Sequence, residues 1–261
     1  MDKKGINNQK NNNIMKRKYE LTDETMELYG VTLHRIKALI DFNDVKAGDL
    51  GGWVENEDNL SRYGNAWVYG NACVYGNARV FGSAKVYGDA QVGGYACVFG
   101  NALVYGNARV FGNAKVYGDA QVGGYARVYG NAQVYGNAKI HGDVGVYGDA
   151  EIHGDAEIYG DAWVYGNAKV DGNAWVYGNA EIYGNAWVGG NARVNSNRDY
   201  IVFKDWWDSG RYFTWTRSND KWRAGDFYGT GDELIHKAYQ HGETSGREYA
   251  RIVEYVNQIK K

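Results

Sequence analysis

The sequence predicts a mainly β protein whose centre is a coil of very short strands, and three observations predict it. A six-residue unit, Tyr-Gly-Asn-Ala-x-Val, repeats without insertion from Tyr63 to Val194, a run of 22 hexads. Valine or isoleucine fills the sixth place in every hexad, and alanine fills the fourth in all but one, where Val144 stands. Glycine occupies the second place throughout. A helix is excluded, because six is no multiple of 3.6 and a glycine recurs in each unit.

Each hexad reads as strand then corner. Side chains alternate along a strand, so Ala and Val face one way while x and Tyr face the other. Gly and the following Asn or Asp supply the corner, since they tolerate positive φ best; Ser83, Tyr95 and Tyr125 are the exceptions at the third place. Small Ala alternating with Val implies a tight interior with no room for a ligand.

The other elements follow in chain order. Residues 1–17 are Asn-rich with five Lys/Arg against one Asp, and predict a disordered tail; Met15 begins MKRKYELTDE and is a second candidate for the native start. Residues 18–62 mix short apolar alternations with a net charge of −5 and predict an N-terminal β cap. Val54 and Leu60, six apart and followed by two extra residues, suggest that the coil begins before the strict array. Residues 195–261 carry three candidate strands (DYIVFKDW, RYFTWTRSN and DKWRAGDFY) and two candidate helices, a β-β-β-α-α module. Thr230-Gly-Asp-Glu233 and Ser245-Gly-Arg-Glu248 read as capping boxes. Tyr249, Ile252, Val253, Val256 and Ile259 form one helical stripe. A module of this size is marginal alone and is expected to dock on the coil, on another subunit, or on both.

The hexad pattern resembles the hexapeptide repeats of left-handed parallel β-helices, in which three hexads close one triangular coil. That resemblance implies about seven coils and, at one strand spacing per coil, a prism about 35 Å long. It also implies stacks of outward side chains three hexads apart. Tyr63, Phe81, Phe99, Tyr117, Tyr135 and His153 form one such column, and Tyr129, Tyr147, Tyr165 and Tyr183 another. Cross-strand aromatic neighbours contribute roughly 0.2–1 kcal/mol each, so stabilisation explains these columns adequately.

Charge along the array is uneven: residues 63–140 carry six bases and two acids, and residues 141–194 two bases and eight acids. Lys139 and Glu157, and likewise Glu151 and Lys169, are expected as stacked pairs. Arg109 and Arg127 are stacked like charges, unfavourable unless an anion sits against them or they splay into solvent. The basic half, with Arg79, Arg109, Lys115, Arg127 and Tyr105, is therefore the candidate surface for an anionic partner. Trp163, Trp175 and Trp187 fall one per face in the last coils, either under the C-terminal module or as a ring for a partner. Asp143, Asp149, Asp155 and Asp161 point from different corners, and no metal site or cofactor is expected.

The resembled family includes many acyltransferases, usually trimers with a catalytic His at a subunit boundary. His141 and His153 are the candidates here, but they stand two hexads apart on different faces, and no loop interrupts the array to shape a pocket. Residues 78–102 recur almost unchanged at 108–132, a displacement of five hexads. Five is not a multiple of three, so the copy rotates every residue to another face and would scramble a catalytic wall.

The ends are similar to those of phage and prophage hexapeptide proteins: Tyr19–Glu24 and Arg35–Trp53 at the start, Phe227–Ile235 and Ser245–Val256 at the finish. That resemblance implies a mobile-element origin. The net charge of −2 implies no global attraction to nucleic acid or membrane. Two cysteines, Cys73 and Cys97, suit a reducing compartment, and no apolar run spans a membrane, so the expected location is cytoplasmic. The expected function is a non-catalytic binding protein, a homo-oligomer that meets a host protein, a ribonucleoprotein or an anionic nucleotide. Counter-defence inhibition is one form of it. A CoA-dependent acyltransferase and a structural assembly component are the alternatives.

Overall fold

The computed structural model describes residues 17–260. The tail expected over residues 1–17 lies outside them apart from Arg17. In each hexad the x and sixth residues form a two-residue strand, giving 22 rungs from Trp67–Val68 to Arg193–Val194. Each rung pairs in parallel with the rung three hexads on, as Lys85 does with Leu103 and Leu103 with Gln121. Three parallel sheets result, and they form the three faces of a β-solenoid.

The first face carries Cys73, Gln91, Arg109, Arg127, Gly145, Trp163 and Glu181 at its x places. The second face carries Trp67, Lys85, Leu103, Gln121, Lys139, Glu157, Trp175 and Arg193. The third carries Arg79, Cys97, Lys115, Gln133, Glu151, Lys169 and Trp187. Inside, the Ala and Val/Ile places from Ala66 to Val194 are closed to solvent, so the lumen is packed core.

Three amides per hexad hold each coil to the next: Lys85 N donates to Ala102 O at 2.9 Å, Tyr87 N to Val104 O at 2.9 Å, and Asp89 N to Gly106 O at 2.8 Å. The corner glycine is needed twice over. Gly100 has φ 72°, and a Cβ there would lie 2.9 Å from the backbone N and O of Gly118 in the next coil.

The chain enters through three antiparallel-linked strands, β1 (Tyr19–Leu28), β2 (Val31–Ala38) and β3 (Leu50–Val54). Strand β3 then pairs in parallel with the coil, Trp53 beside Cys73 and Val54 beside Val74, and Leu60 bridges to Val80. The spacing of those partners is one turn of three hexads plus the two extra residues read from the sequence. This early start brings the solenoid to about eight turns.

Both ends of the solenoid have backbone groups with no further coil to pair with, and side chains from the flanking segments meet them. At the start, Lys18 Nζ donates to Ala66 O at 2.8 Å, and Asn59 Nδ2 donates to Gly76 O and Ala78 O at 2.9 Å each. At the finish one amide per face is capped. Glu181 N donates to Asn197 Oδ1 at 2.8 Å, Trp187 N to Thr214 Oγ1 at 2.9 Å, and Arg193 N to Ser218 Oγ at 2.6 Å. Filling these donors removes the open edge on which further strands would add.

The C-terminal segment forms a four-stranded antiparallel sheet, Tyr200–Lys204, Tyr212–Thr216, Lys221–Ala224 and Phe227–Gly229, then helices α1 (Gly231–His241) and α2 (Glu243–Ile259). The third strand of the sequence reading is two, because Gly225 at φ 59° turns the chain between Ala224 and Phe227. Thr230 and Glu233 make the expected capping box. Ser245 does not cap: α2 begins at Glu243, straight after Gly242, so Ser245 lies within the helix and is buried. Phe213, Trp215, Trp222, Tyr249, Val253 and Val256 form a core separate from that of the solenoid. Ile259, expected on the buried stripe, is 40% exposed where the helix runs out.

Candidate binding surface

Beside each x column runs a column of the Tyr-place side chains, and the two columns together make each face. On the third face Phe81, Phe99, Tyr117, Tyr135 and His153 stack with centroids 4.8 Å apart and planes within 15°. Tyr63 stands 66% exposed at the head of that column. Where glycine replaces the ring, a neighbour leans into the space. A Cβ on Gly93 would meet Phe111 at 2.5 Å, and one on Gly123 would meet Tyr105 at 2.2 Å. Phe111 thereby reaches Tyr75 across Gly93, with centroids 5.9 Å apart.

The ionic pairs expected from the three-hexad spacing form. Lys139 Nζ lies 3.1 Å from Glu157 Oε1, and Lys169 Nζ 3.0 Å from Glu151 Oε2. Arg109 and Arg127 are register neighbours on the first face. Arg127 leans to Asp143 at 3.3 Å, whereas Arg109 has no carboxylate within ion-pair distance among the described residues. Burial pushes the Tyr75 hydroxyl up to about 12, with the Arg109 charge acting in the opposite direction.

The four bases do not form one patch. Arg79 and Lys115 lie on the third face, two rungs apart with Cys97 between them, and Arg79 stacks over Phe81 at 5.9 Å. Tyr105 belongs to the second-face column, stacked on Tyr87 at 5.3 Å. Only Arg109 and Arg127 are brought together, because a single hexad step changes face and only a step of three hexads keeps it.

The three tryptophans also separate. Trp187 alone meets the C-terminal module: the Arg223 guanidinium lies 4.0 Å from its ring centroid, and its Nε1 donates to Asp171 at 2.8 Å. Trp163 and Trp175 are 45% and 37% exposed. Trp175 lies under Arg193 at 5.2 Å, and Trp163 beside Tyr147 at 5.4 Å. They stand on earlier rungs of their faces than the module reaches.

His141 is exposed and stacked flat on Tyr159, while His153 is stacked on Tyr135, so the two imidazoles sit in different columns. Three of the four Asp corners are engaged by the preceding coil: Asp149 accepts from Asn131, Asp155 from Asn137, and Asp143 meets Arg127. Among the described residues no group of three or more His, Cys, Asp or Glu is close enough to hold a metal. No helix among them is long and apolar enough to cross a membrane.

Two of the surface clefts that sequence reasoning missed lie against stacked Tyr-place rings of the solenoid faces. The first lies where the loop between β2 and β3 leans on the second face, a space of about 510 Å³ lined by Asp44, Tyr69, Lys85, Tyr87 and Leu103. Burial there pushes the Asp44 carboxyl up, but hydrogen bonds from Lys85 and Tyr69 outweigh it and hold the group below its ordinary range. Nothing in the repeat announces this contact, since Asp44 belongs to the non-repeating cap. The second, of about 310 Å³, lies on the first face among Tyr147, Trp163, Tyr165 and Glu181. Its signal was available: Val144 and Gly145 are the odd residues of a single irregular hexad.

The model of the YdcK beta solenoid repeat matches residues 72–88, 108–124 and 126–142. All three stretches lie inside the array. A protein of Escherichia coli (strain K12) bearing the name "Uncharacterized acetyltransferase YdcK" is 40% identical over 60 residues, covering 20% of this chain and 18% of that protein. The likeness therefore spans less than a fifth of that relative's length.

Proposed function

We propose that this chain is a non-catalytic binding protein, a rigid β-solenoid that meets its partner through its outer faces. The observation that carries this reading is the filled lumen together with the Arg109–Arg127 pair on the first face. With Ala and Val closing the interior, a ligand has only the outside to bind. Arg109 and Arg127 are like charges on neighbouring rungs. Arg127 turns to Asp143, Arg109 has no carboxylate within ion-pair distance among the described residues, and an anion against the pair would offset the charge left over. The partner on this reading is anionic at the contact: a host protein, a ribonucleoprotein or a nucleotide. Its phage-type form, with a host defence protein as target, rests on the resemblance of the two ends. The test is capture from host lysate by the tagged full chain, wild type beside Arg109→Glu/Arg127→Glu. A partner retained at low salt by the wild type and lost by the double variant supports the reading, and equal capture by both refutes it.

A second reading, a CoA-dependent acetyltransferase, is favoured by the name of the Escherichia coli relative. In its support His141 is accessible to a neighbouring subunit. Acetyl transfer from acetyl-CoA that disappears in His141→Ala or His153→Ala would establish it.

A further inference from the structure

The first-face column of rings breaks at one point. Tyr129 and Tyr147 are neighbours with centroids 5.5 Å apart, and so are Tyr165 and Tyr183 at 5.6 Å, but Tyr147 and Tyr165 do not pair. The cause lies in the adjoining x column, where Gly145, Trp163 and Glu181 are successive rungs. Gly145 has no side chain, so Tyr147 lies across it; a Cβ there would be 2.4 Å from the Tyr147 ring. The ring then turns toward Trp163, at 5.4 Å and 34°, and a cleft opens between it and Tyr165. Three aromatic side chains and one carboxylate line that cleft. The carboxylate, Glu181, accepts a hydrogen bond from Tyr165 Oη at 3.2 Å and has no cation within 4.0 Å among the described residues.

We propose that this cleft binds a quaternary or fully methylated ammonium group. Aromatic faces attract such a cation through their quadrupoles, and its weak hydration makes transfer from water inexpensive. Glu181 supplies the opposite charge, within a half of the solenoid that carries eight acids against two bases. An anionic ligand is disfavoured because no basic side chain lines the space. A primary ammonium, which needs three hydrogen-bond acceptors, finds one carboxylate that already serves Tyr165. The site is distinct from the Arg109–Arg127 pair and stands whether or not that pair binds an anion.

The test is calorimetric or NMR titration of the full chain with choline, with its neutral isostere 3,3-dimethylbutan-1-ol, and with a short peptide carrying trimethyllysine. Choline or the peptide is expected to bind at least about threefold more tightly than the neutral isostere, the factor that an exposed cation–π contact supplies. Choline alone marks a free ligand, and a preference for the peptide marks a protein-borne one. Trp163→Leu should abolish binding, and Glu181→Gln should weaken the cations several-fold while leaving the isostere unchanged. Both side chains are exposed, and Tyr95→Ala, an exposed ring on a distant coil, controls for general loss of structure. Equal affinity for choline and its isostere, no binding by any of the three, or undiminished binding in folded Trp163→Leu would overturn the proposal.

Discussion

Asp171 occupies a place where most hexads carry an aromatic ring, and its removal should loosen the C-terminal module from the solenoid. Its side chain is buried, 8% exposed, and accepts from Trp187 Nε1 at 2.8 Å and from Arg223 Nη2 at 3.2 Å. The next rung makes this possible, since a Cβ on Gly189 would fall 2.2 Å from Asp171 Oδ1. Asp171→Ala leaves the indole N–H and the guanidinium without their acceptor. Two hydrogen bonds to a charged group contribute roughly 1.5–3 kcal/mol each. The Arg223 side chain keeps 22% of its exposure, so water recovers part of the loss and about 2–4 kcal/mol remains. That corresponds to about 30- to 700-fold more frequent opening of the module. Hydrogen exchange of the Tyr212–Thr216 amides, with protease sensitivity after Val194, measures it directly. Asp171→Asn, which keeps an acceptor, should fall between. Unchanged exchange in Asp171→Ala would refute the reasoning and assign the docking to the Asn197, Thr214 and Ser218 caps and to Tyr200, whose hydroxyl donates to Glu181 O at 2.7 Å.

Three further outcomes follow from the packing. Gly100→Ala should lower the thermal midpoint more than Gly184→Ala. Both have positive φ and carry the left-handed cost of roughly 1–2 kcal/mol, but only the first meets the next coil's backbone, while nothing lies within 4 Å of a Cβ on Gly184. Ala126→Leu overfills a closed lumen and should cost about 1–3 kcal/mol or more, whereas Gln121→Leu on the outside should stay within about 0.5 kcal/mol; urea unfolding compares them. Lys18 is pushed down to about 8 by burial from its ordinary 10.5. At Lys18 the folded state therefore binds fewer protons than the unfolded one between those values, so its contribution to stability rises from pH 8 to pH 10. Cys73, pushed up to about 11 by burial, acts in the opposite direction above pH 9. The slope of stability against pH over this window should be more positive in the wild type than in Lys18→Met, and an identical slope in both proteins would exclude the Lys18 contribution.

The repeat made the solenoid legible because its period carries both the alternation and the corner. Ala and Val at every other position fix which side is core, and an invariant glycine fixes where the chain bends. Phe99 over Tyr117, or Lys139 over Glu157, could be written down from spacing alone. The ends were less legible. No period governs Lys18, Asn59, Asn197, Thr214 or Ser218, and each matters only because a coil edge needs a donor or an acceptor at one point in space. The turn at Gly225 and the helix start at Glu243 were misread for a related reason, local signals being weak where no repeat confirms them.

The amino-acid sequence by itself determined the β-solenoid, its packed lumen and the identity of stacked partners, since these depend on contacts that recur with every third hexad. Only the tertiary structure decided how side chains settle where the repeat is broken. It set Arg223 over Trp187 while leaving Trp163 and Trp175 exposed. It also turned Tyr147 across Gly145 to leave a cleft beside Trp163. A missing side chain is a local fact of sequence, but which neighbour fills the space depends on ring size, tilt and competing contacts in three dimensions.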